Sequence, residues 1–192
     1  MKITISSPSK SDIQYTRIMI PPHMMNSDIE DNMNIILQQK VEGKCNRNGY
    51  IEKVHVIKEY IEEIILPENL SGHAPYNISY YCTIIIPEEN TIIIGSVKAL
   101  NPDLVMVVNG PIIVFIPKAN IDSNIWDVSN DFFDKQNKTQ LKQNEYVKVH
   151  LEKVKINQKD VQIKCIGRLM DRATEEEVNE FYGTKQESNF IM

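Results

Sequence analysis

The sequence predicts an α+β chain of two domains, and three observations support that fold class. Residues 15–86 read as a strand, a helix and further strands, which is the order of a small mixed domain. After a turn at residues 87–90 the pattern is almost entirely β up to residue 172. Its five short strands, separated by turns and one polar insertion, are typical of a closed barrel of the OB type.

Composition excludes several classes of protein. The 192 residues carry a formal net charge of −5, whereas a protein that wraps duplex DNA is usually basic. No apolar run approaches the roughly 18 residues of a membrane helix, and residues 1–8 lack the apolar stretch of a secretory signal. The three cysteines, Cys45, Cys82 and Cys165, form no Cys-x-x-Cys pair, so we expect buried thiols in a reducing, intracellular compartment. The four histidines show no metal-binding spacing, and the sequence predicts neither a metal nor a cofactor.

The first domain is expected to follow a flexible polar arm at residues 1–14. A strand at residues 15–20 ends at a pair of prolines. Ser27 and Glu30 have the spacing of a capping box, which predicts a helix over residues 27–40.

A glycine and the alternation of apolar with polar residues predict the remaining elements of this domain. Gly43 breaks the helical segment, and a loop is expected at residues 67–75. Runs of alternating apolar residues predict three strands, at 50–57, 60–66 and 78–86.

The second domain, residues 87–172, contains the barrel strands. They are expected at residues 91–100, 104–109, 112–117, 146–156 and 161–169. The polar insertion at residues 122–143 carries Trp126, Phe132 and Phe133. We expect these aromatic residues to anchor the insertion on the barrel, and docking on a partner is the alternative.

The C-terminal segment, residues 173–192, is expected to be a helix and a tail. Thr174 and Glu177 can form a capping box, and Gly183 is expected to end the helix.

Three sequence blocks in one order resemble a known family. They are Val41-Glu42-Gly43-Lys44-Cys45, then residues 110–118 from Gly110-Pro111 through Phe115-Ile116 to Lys118, and finally Gly167-Arg168-Leu169-Met170-Asp171. Their order and spacing resemble the stalk subunit of multisubunit DNA-directed RNA polymerases, the family of the seventh subunit of eukaryotic RNA polymerase II and its archaeal counterpart. A version from a large DNA virus fits the Ile- and Asn-rich composition.

The resemblance carries expectations about fold and role. The first domain would be the family's RNP-like tip domain, and the second its S1-like OB barrel. The chain would be a non-catalytic stalk subunit that docks on the large polymerase subunits near the clamp, with nucleotidyl transfer in other chains. A small helical partner subunit belongs to the family, and the sequence leaves its presence open. The chain would work in the nucleus of a cell, or in the host cytoplasm, virus factory or virion of a virus.

The resemblance and the charge pattern together nominate two sets of site residues. The expected polymerase-docking residues are Val41, Glu42, Gly43, Pro67, Leu70 and Gly72. The expected contacts to nascent RNA are Lys118, Lys148, Lys153, Lys155 and Phe115. The lysines could equally form a solvated strand face, and for Phe115 a place in the barrel core is favoured over stacking on a base. Few aromatic residues lie on the middle strands, so we expect weak, sequence-independent RNA binding.

One alternative function remains open at this point. A free-standing S1-type RNA-binding protein of translation or RNA decay would share the barrel, but it would not need the first domain.

Overall fold

The structure is a computed structural model that describes residues 5–65, 68, 70–127, 132–135 and 138–187, with side chains described up to residue 183. It is mostly β, with two α-helices in this part of the chain. The helices are α1 (Ile29–Val41) and α2 (Glu175–Glu187). The strands are β1 (Ser9–Ile20), β2 (Lys44–Cys45), β3 (Tyr50–Glu62), β4 (Ala74–Ile85), β5 (Ile92–Asn101), β6 (Leu104–Asn109), β7 (Ile112–Pro117), β8 (Trp126–Asp127), β9 (Phe133–Asp134), β10 (Thr139–Gln140), β11 (Tyr146–Lys155) and β12 (Ile163–Arg172). No helix in the described part is long and apolar enough to cross a bilayer.

The first four strands form an antiparallel sheet in the order β1-β4-β3-β2. Helix α1 packs on one face of this sheet through Met33 and Leu37, which have no exposed surface. Alternation along β1 buries Ile18 and Ile20 on that same face. The sheet with its single helix is the region for which the resemblance predicts an RNP-like fold, and that assignment stays a prediction.

Three local expectations in this region need correction. Residues 9–14 were expected in a flexible arm, but they form the first half of β1 and pair with β4. The strands expected at 50–57 and 60–66 are one strand, β3, whose three bulges interrupt the alternation that the sequence shows. The capping box is also wrong, because α1 begins after Asp28 without a side-chain cap and the Ser27 hydroxyl donates to the Asp28 carboxylate.

The later long strands close into a barrel in the order β11-β12-β7-β6-β5, with β5 pairing back to β11. All neighbours are antiparallel except β12 and β7, which are parallel. This closed five-stranded barrel is consistent with the predicted OB fold. Strands β6 and β7 begin and end at the predicted residues.

The polar insertion folds against the barrel as a small sheet in the order β10-β9-β8. Trp126 is buried, and its indole nitrogen donates a 2.7 Å hydrogen bond to the Met170 carbonyl of β12. Phe132 is buried in the barrel core cluster, whereas Phe133 is turned outward. The expected anchoring is therefore confirmed for Trp126 and Phe132.

Helix α2 packs on the barrel through the buried Phe181. The predicted capping box is confirmed, since the Thr174 amide donates to the Glu177 carboxylate and the Glu177 amide donates to the Thr174 hydroxyl. Gly183 does not end the helix, which continues to Glu187.

Backbone hydrogen bonds join the sheet to the barrel. The Cys45 amide donates to the Asp160 carbonyl at 2.7 Å, and the Lys159 amide donates to the Cys45 carbonyl at 2.8 Å. On the other side the Ser6 amide donates to the Ile92 carbonyl. The side chains of Cys45 and Ile85 belong to the barrel core cluster, although both residues lie in the sheet. The two parts therefore share apolar core as well as backbone contacts.

Candidate nucleic-acid interface

An apolar stripe runs across the outside of the barrel. Strict alternation sends Val105, Val114 and Cys165 into the core. The strand registers then align Met106 with Phe115 and Phe115 with Ile166 on the outer side. Three neighbouring strands thus present adjacent apolar side chains to solvent.

A bulge in β11 adds two of the predicted lysines to this stripe. The register shifts between Leu151 and Lys153, so that Lys153 pairs with Ile166 and Lys155 with Lys164. Lys153 and Lys155 are both exposed. We call the set Met106, Phe115, Lys153, Lys155, Lys164 and Ile166 the outer barrel face.

The charge of the outer barrel face is positive. Within the described residues, no carboxylate forms a salt bridge with Lys153, Lys155 or Lys164. The nearby Glu152 is already paired with Arg168 at 3.2 Å. Cationic side chains beside apolar and aromatic ones can follow a phosphate backbone while bases stack on the apolar part.

The position of Phe115 decides between the barrel core and the outer surface, the two places considered for it from the sequence. It is half-buried on the outer side of β7, whereas its neighbours Val114 and Ile116 fill the core. The expected place of Phe115 in the core is therefore wrong, and its ring forms part of the outer surface of the barrel.

Lys118 and Lys148 lie apart from the outer barrel face. Lys118 is exposed in the 3-10 turn Lys118–Asn120 after β7. Lys148 is half-buried, and its ammonium pairs with the Glu177 carboxylate of α2 at 3.0 Å. This ion pair neutralises much of the charge of Lys148 and turns its ammonium toward α2, which makes it a weaker candidate for an RNA contact.

The expected docking residues of the first block are used inside the chain. Val41 is the last residue of α1 and packs against the sheet core. The Glu42 carboxylate accepts a 2.6 Å hydrogen bond from the Val54 amide. Gly43 has a φ of 71°, a left-handed conformation that favours glycine, and its amide donates to the Ile51 carbonyl. These three residues form the turn that connects the end of α1 to the start of β2, so they have a role in the fold.

The expected docking loop presents one prominent apolar side chain. Leu70 is 97% exposed, and Gly72 adopts a left-handed φ of 66°. Pro67 lies outside the described residues. A single exposed apolar side chain is common at a protein surface, and the docking role of Leu70 stays a prediction.

The thiols are buried packing residues. All three cysteines are buried, and desolvation raises the pKa of both Cys82 and Cys165 to about 12. They therefore stay protonated at neutral pH, whereas a reactive thiol needs a lowered pKa. In the described residues no three His, Cys, Asp or Glu side chains form a group that could hold a metal ion.

Sequence reasoning missed part of the outer barrel face. Met106 and Ile166 were not nominated, although alternation with the buried Val105 and Cys165 places them outside. The bulge in β11 gives no clear sequence signal, and it is the feature that brings the lysines beside Ile166.

Comparison with known proteins identifies the family. No family model matches the sequence. A curated protein of Acanthamoeba polyphaga mimivirus, named "Putative DNA-directed RNA polymerase subunit", is 33% identical over 166 residues, which cover 86% of this chain and 83% of that protein. The match is consistent with the polymerase subunit that the three sequence blocks predict and with the viral version that the composition suggests. The chain therefore belongs to the family of this mimivirus RNA polymerase subunit.

Proposed function

We propose that this chain is the non-catalytic stalk subunit of a DNA-directed RNA polymerase. The observation that carries the proposal is its 33% identity, over most of both chains, to a protein named as a subunit of that enzyme. The closed barrel supports the stalk role, because it is consistent with the S1-like barrel that the sequence blocks predict, and a helix-backed sheet precedes it where the tip domain is expected. Nucleotidyl transfer would reside in the large core subunits.

The sheet half would dock on the large subunits near the clamp. Its loop presents Leu70, an exposed apolar side chain that a partner surface could bury. A small helical partner subunit would complete the stalk. The assembly would work in the host cytoplasm, virus factory or virion if the polymerase is viral, and in the nucleus if it is cellular.

Affinity purification tests this role. A tagged copy expressed in its native source should co-purify with the large polymerase subunits in roughly equal amounts. Leu70→Asp should reduce their recovery, because it places a charge in the proposed contact. Val161→Asp is the matched control, since Val161 is an exposed apolar residue of the barrel half at 63% exposure. Recovery of the protein alone or with ribosomes would reject the stalk role and favour a free-standing S1-type RNA-binding protein.

The barrel half would contact nascent RNA weakly through the outer barrel face. Its three lysines supply attraction to phosphates, and Phe115 supplies one stacking surface. A single aromatic residue is a small platform, since each stacked base contributes roughly 1–3 kcal/mol. Affinity should therefore depend strongly on salt and little on sequence.

Fluorescence anisotropy with a labelled oligouridylate tests the RNA contact. Lys153→Gln combined with Lys155→Gln should weaken binding several-fold and flatten its salt dependence, since each lost phosphate contact lowers the salt slope by about one. The matched control is Lys98→Gln, an exposed lysine of the same barrel outside this face. Equal losses from the control and the double variant would contradict a specific role for the outer barrel face.

A further inference from the structure

A cleft with no assigned role lies where the sheet meets the barrel. It has a volume of about 410 Å³ and is lined by the end of α1, by β2 and by the turn between β11 and β12. This volume falls within the range of small-molecule sites. The Cys45–Asp160 and Lys159–Cys45 backbone hydrogen bonds hold its two sides together.

Three lysines line the cleft. Lys40, Lys44 and Lys159 contribute to its walls, and no carboxylate is found among the described residues that line it. Acids of the surrounding elements have other partners: Asp160 accepts a hydrogen bond from Asn157, and Glu42 accepts one from the Val54 amide. Desolvation, followed by the charges of Arg17 and Lys159, lowers the pKa of Lys40. Cations are thus crowded here, and a bound anion would relieve that crowding.

The lysine ammonium groups retain donors for a ligand. Lys44 binds the carbonyls of Gln39 and Lys40, and Lys40 binds the Arg17 carbonyl. An ammonium group has three donors, so each keeps at least one. Lys159 is exposed, and none of the salt bridges among the described residues involves its side chain.

The backbone at Lys159 adopts an uncommon turn conformation. Its φ is 73°, in the left-handed region where Gly and Asn are favoured over long side chains. The Lys159 amide donates to the Cys45 carbonyl at 2.8 Å, so this turn holds Lys159 at the edge of the cleft.

We propose that this cleft binds phosphate groups, with Lys40, Lys44 and Lys159 as ligands to the anion. The binding site goes beyond the function proposed above, since its three lysines are none of those of the outer barrel face and it does not depend on polymerase docking. Two sources share this chemistry: the backbone of a single-stranded polynucleotide, and a free phosphate compound such as pyrophosphate.

Titration calorimetry of the full chain, with pyrophosphate and separately with a short oligouridylate, tests the proposal. Lys159→Asn should weaken binding about threefold to fivefold, the size of one solvent-exposed charge pair, and adding Lys40→Gln should weaken it about tenfold. Lys159→Asn also suits the left-handed backbone, so its melting temperature should stay equal or rise. A loss of binding therefore cannot be attributed to unfolding. Lys58→Gln, which removes an exposed lysine of β3 outside the cleft, is the charge-matched control.

The outcomes distinguish a polynucleotide from a free phosphate compound, and the cleft from the outer barrel face. Binding of both probes, reduced by Lys159→Asn, supports phosphate recognition in general, and binding of the oligouridylate alone supports a polynucleotide. Failure of both probes to bind, or equal effects of Lys58→Gln and Lys159→Asn, would overturn the proposal. If Lys153→Gln with Lys155→Gln has no effect while Lys159→Asn does, the cleft stands and the outer barrel face does not.

Discussion

Gly167 in β12 faces neighbours that leave no room for a side chain. A Cβ built there would lie 2.8 Å from the His150 carbonyl oxygen, 2.8 Å from a Val149 methyl and 2.9 Å from a Val114 methyl. The carbonyl belongs to the backbone of β11, so it cannot move away as a flexible side chain could. The glycine of the third sequence block is therefore required by the close approach of barrel strands.

Substitution of Gly167 should destabilise the barrel. Gly167→Ala is expected to lower the free energy of unfolding by about 1–3 kcal/mol, because strands must shift to admit the methyl group. Gly183→Ala is the matched control, since nothing lies within 4 Å of a Cβ there. In the helix interior that change should raise stability by about 0.5–1 kcal/mol. Urea denaturation measures both, and an unchanged midpoint for Gly167→Ala would show that the barrel can relax.

At the scale of elements, α2 shows which part of a helix a sequence can predict. Its start was predictable because Thr174 and Glu177 interact locally. Its docking was not, because Phe181 contacts a barrel core formed by distant strands. The bulge in β11 and the joining of two predicted strands into β3 were not predictable for the same reason. Both depend on the register of pairing with strands that are distant in sequence.

The docking of α2 should depend on pH through Glu177. Its pKa is lowered chiefly by the hydrogen bond from the Thr174 amide, with Lys148 adding to the effect against partial desolvation. A carboxylate whose pKa falls on folding stabilises the native state at pH values above its ordinary pKa of 4.5. This stabilisation is lost as the pH drops from 4.5 through the lowered pKa of the folded state. We therefore expect the melting temperature to fall in that acidic range.

Glu177→Gln should remove this component of the acid sensitivity. Glutamine keeps an oxygen for the Thr174 amide but cannot titrate, so the difference in melting temperature from wild type should shrink as pH falls below 4.5. At neutral pH the loss should be about 2–4 °C or less, equivalent to about 1 kcal/mol in a chain of this size. Glu176→Gln removes an exposed carboxylate from the same turn and should leave the pH profile unchanged. Parallel profiles for Glu177→Gln and wild type would contradict the assignment.

At the scale of the whole molecule, the net charge of −5 conceals two positive surfaces. Five of the 26 acidic side chains pair with Arg17, Lys148, Arg168 or Arg172, and three more lie on α2 at Glu175, Glu176 and Glu180. The lysines of the outer barrel face and of the cleft are left without such partners among the described residues. Composition alone could not show this segregation, because it depends on which strands become neighbours.

The sequence predicted where the barrel strands begin and end better than it predicted which side chains lie next to one another on the barrel surface. Strong alternation located β6 and β7 to the residue, since each strand has one face in the core. Lys153 and Lys155 were nominated, but their position beside Ile166 and Phe115 depends on the bulge and on the parallel pairing of β12 with β7. The cleft was missed entirely, because Lys40 and Lys159 are far apart in sequence and meet only where sheet and barrel join.

Because sheet and barrel share core residues at their junction, we expect them to unfold together. Cys45 and Ile85 contribute to the barrel core from the sheet, so loss of one part exposes apolar surface of the other. Trp126, the single tryptophan, lies in the barrel cluster and reports on that half by fluorescence. Leu37 is fully buried against the sheet, and Leu37→Ala should cost about 2–5 kcal/mol there.

If the halves are coupled, Leu37→Ala should lower the urea midpoint seen by Trp126 fluorescence as much as the midpoint seen by far-ultraviolet circular dichroism. Ile35→Ala is the matched control in the same helix, because Ile35 is 45% exposed and its truncation leaves little cavity. A Trp126 midpoint that stays at the wild-type value while the dichroism midpoint falls would mean that residues 15–86 and 87–172 fold as independent units. Coincident shifts would mean that the phosphate-binding cleft proposed at the junction is held by one cooperative structure.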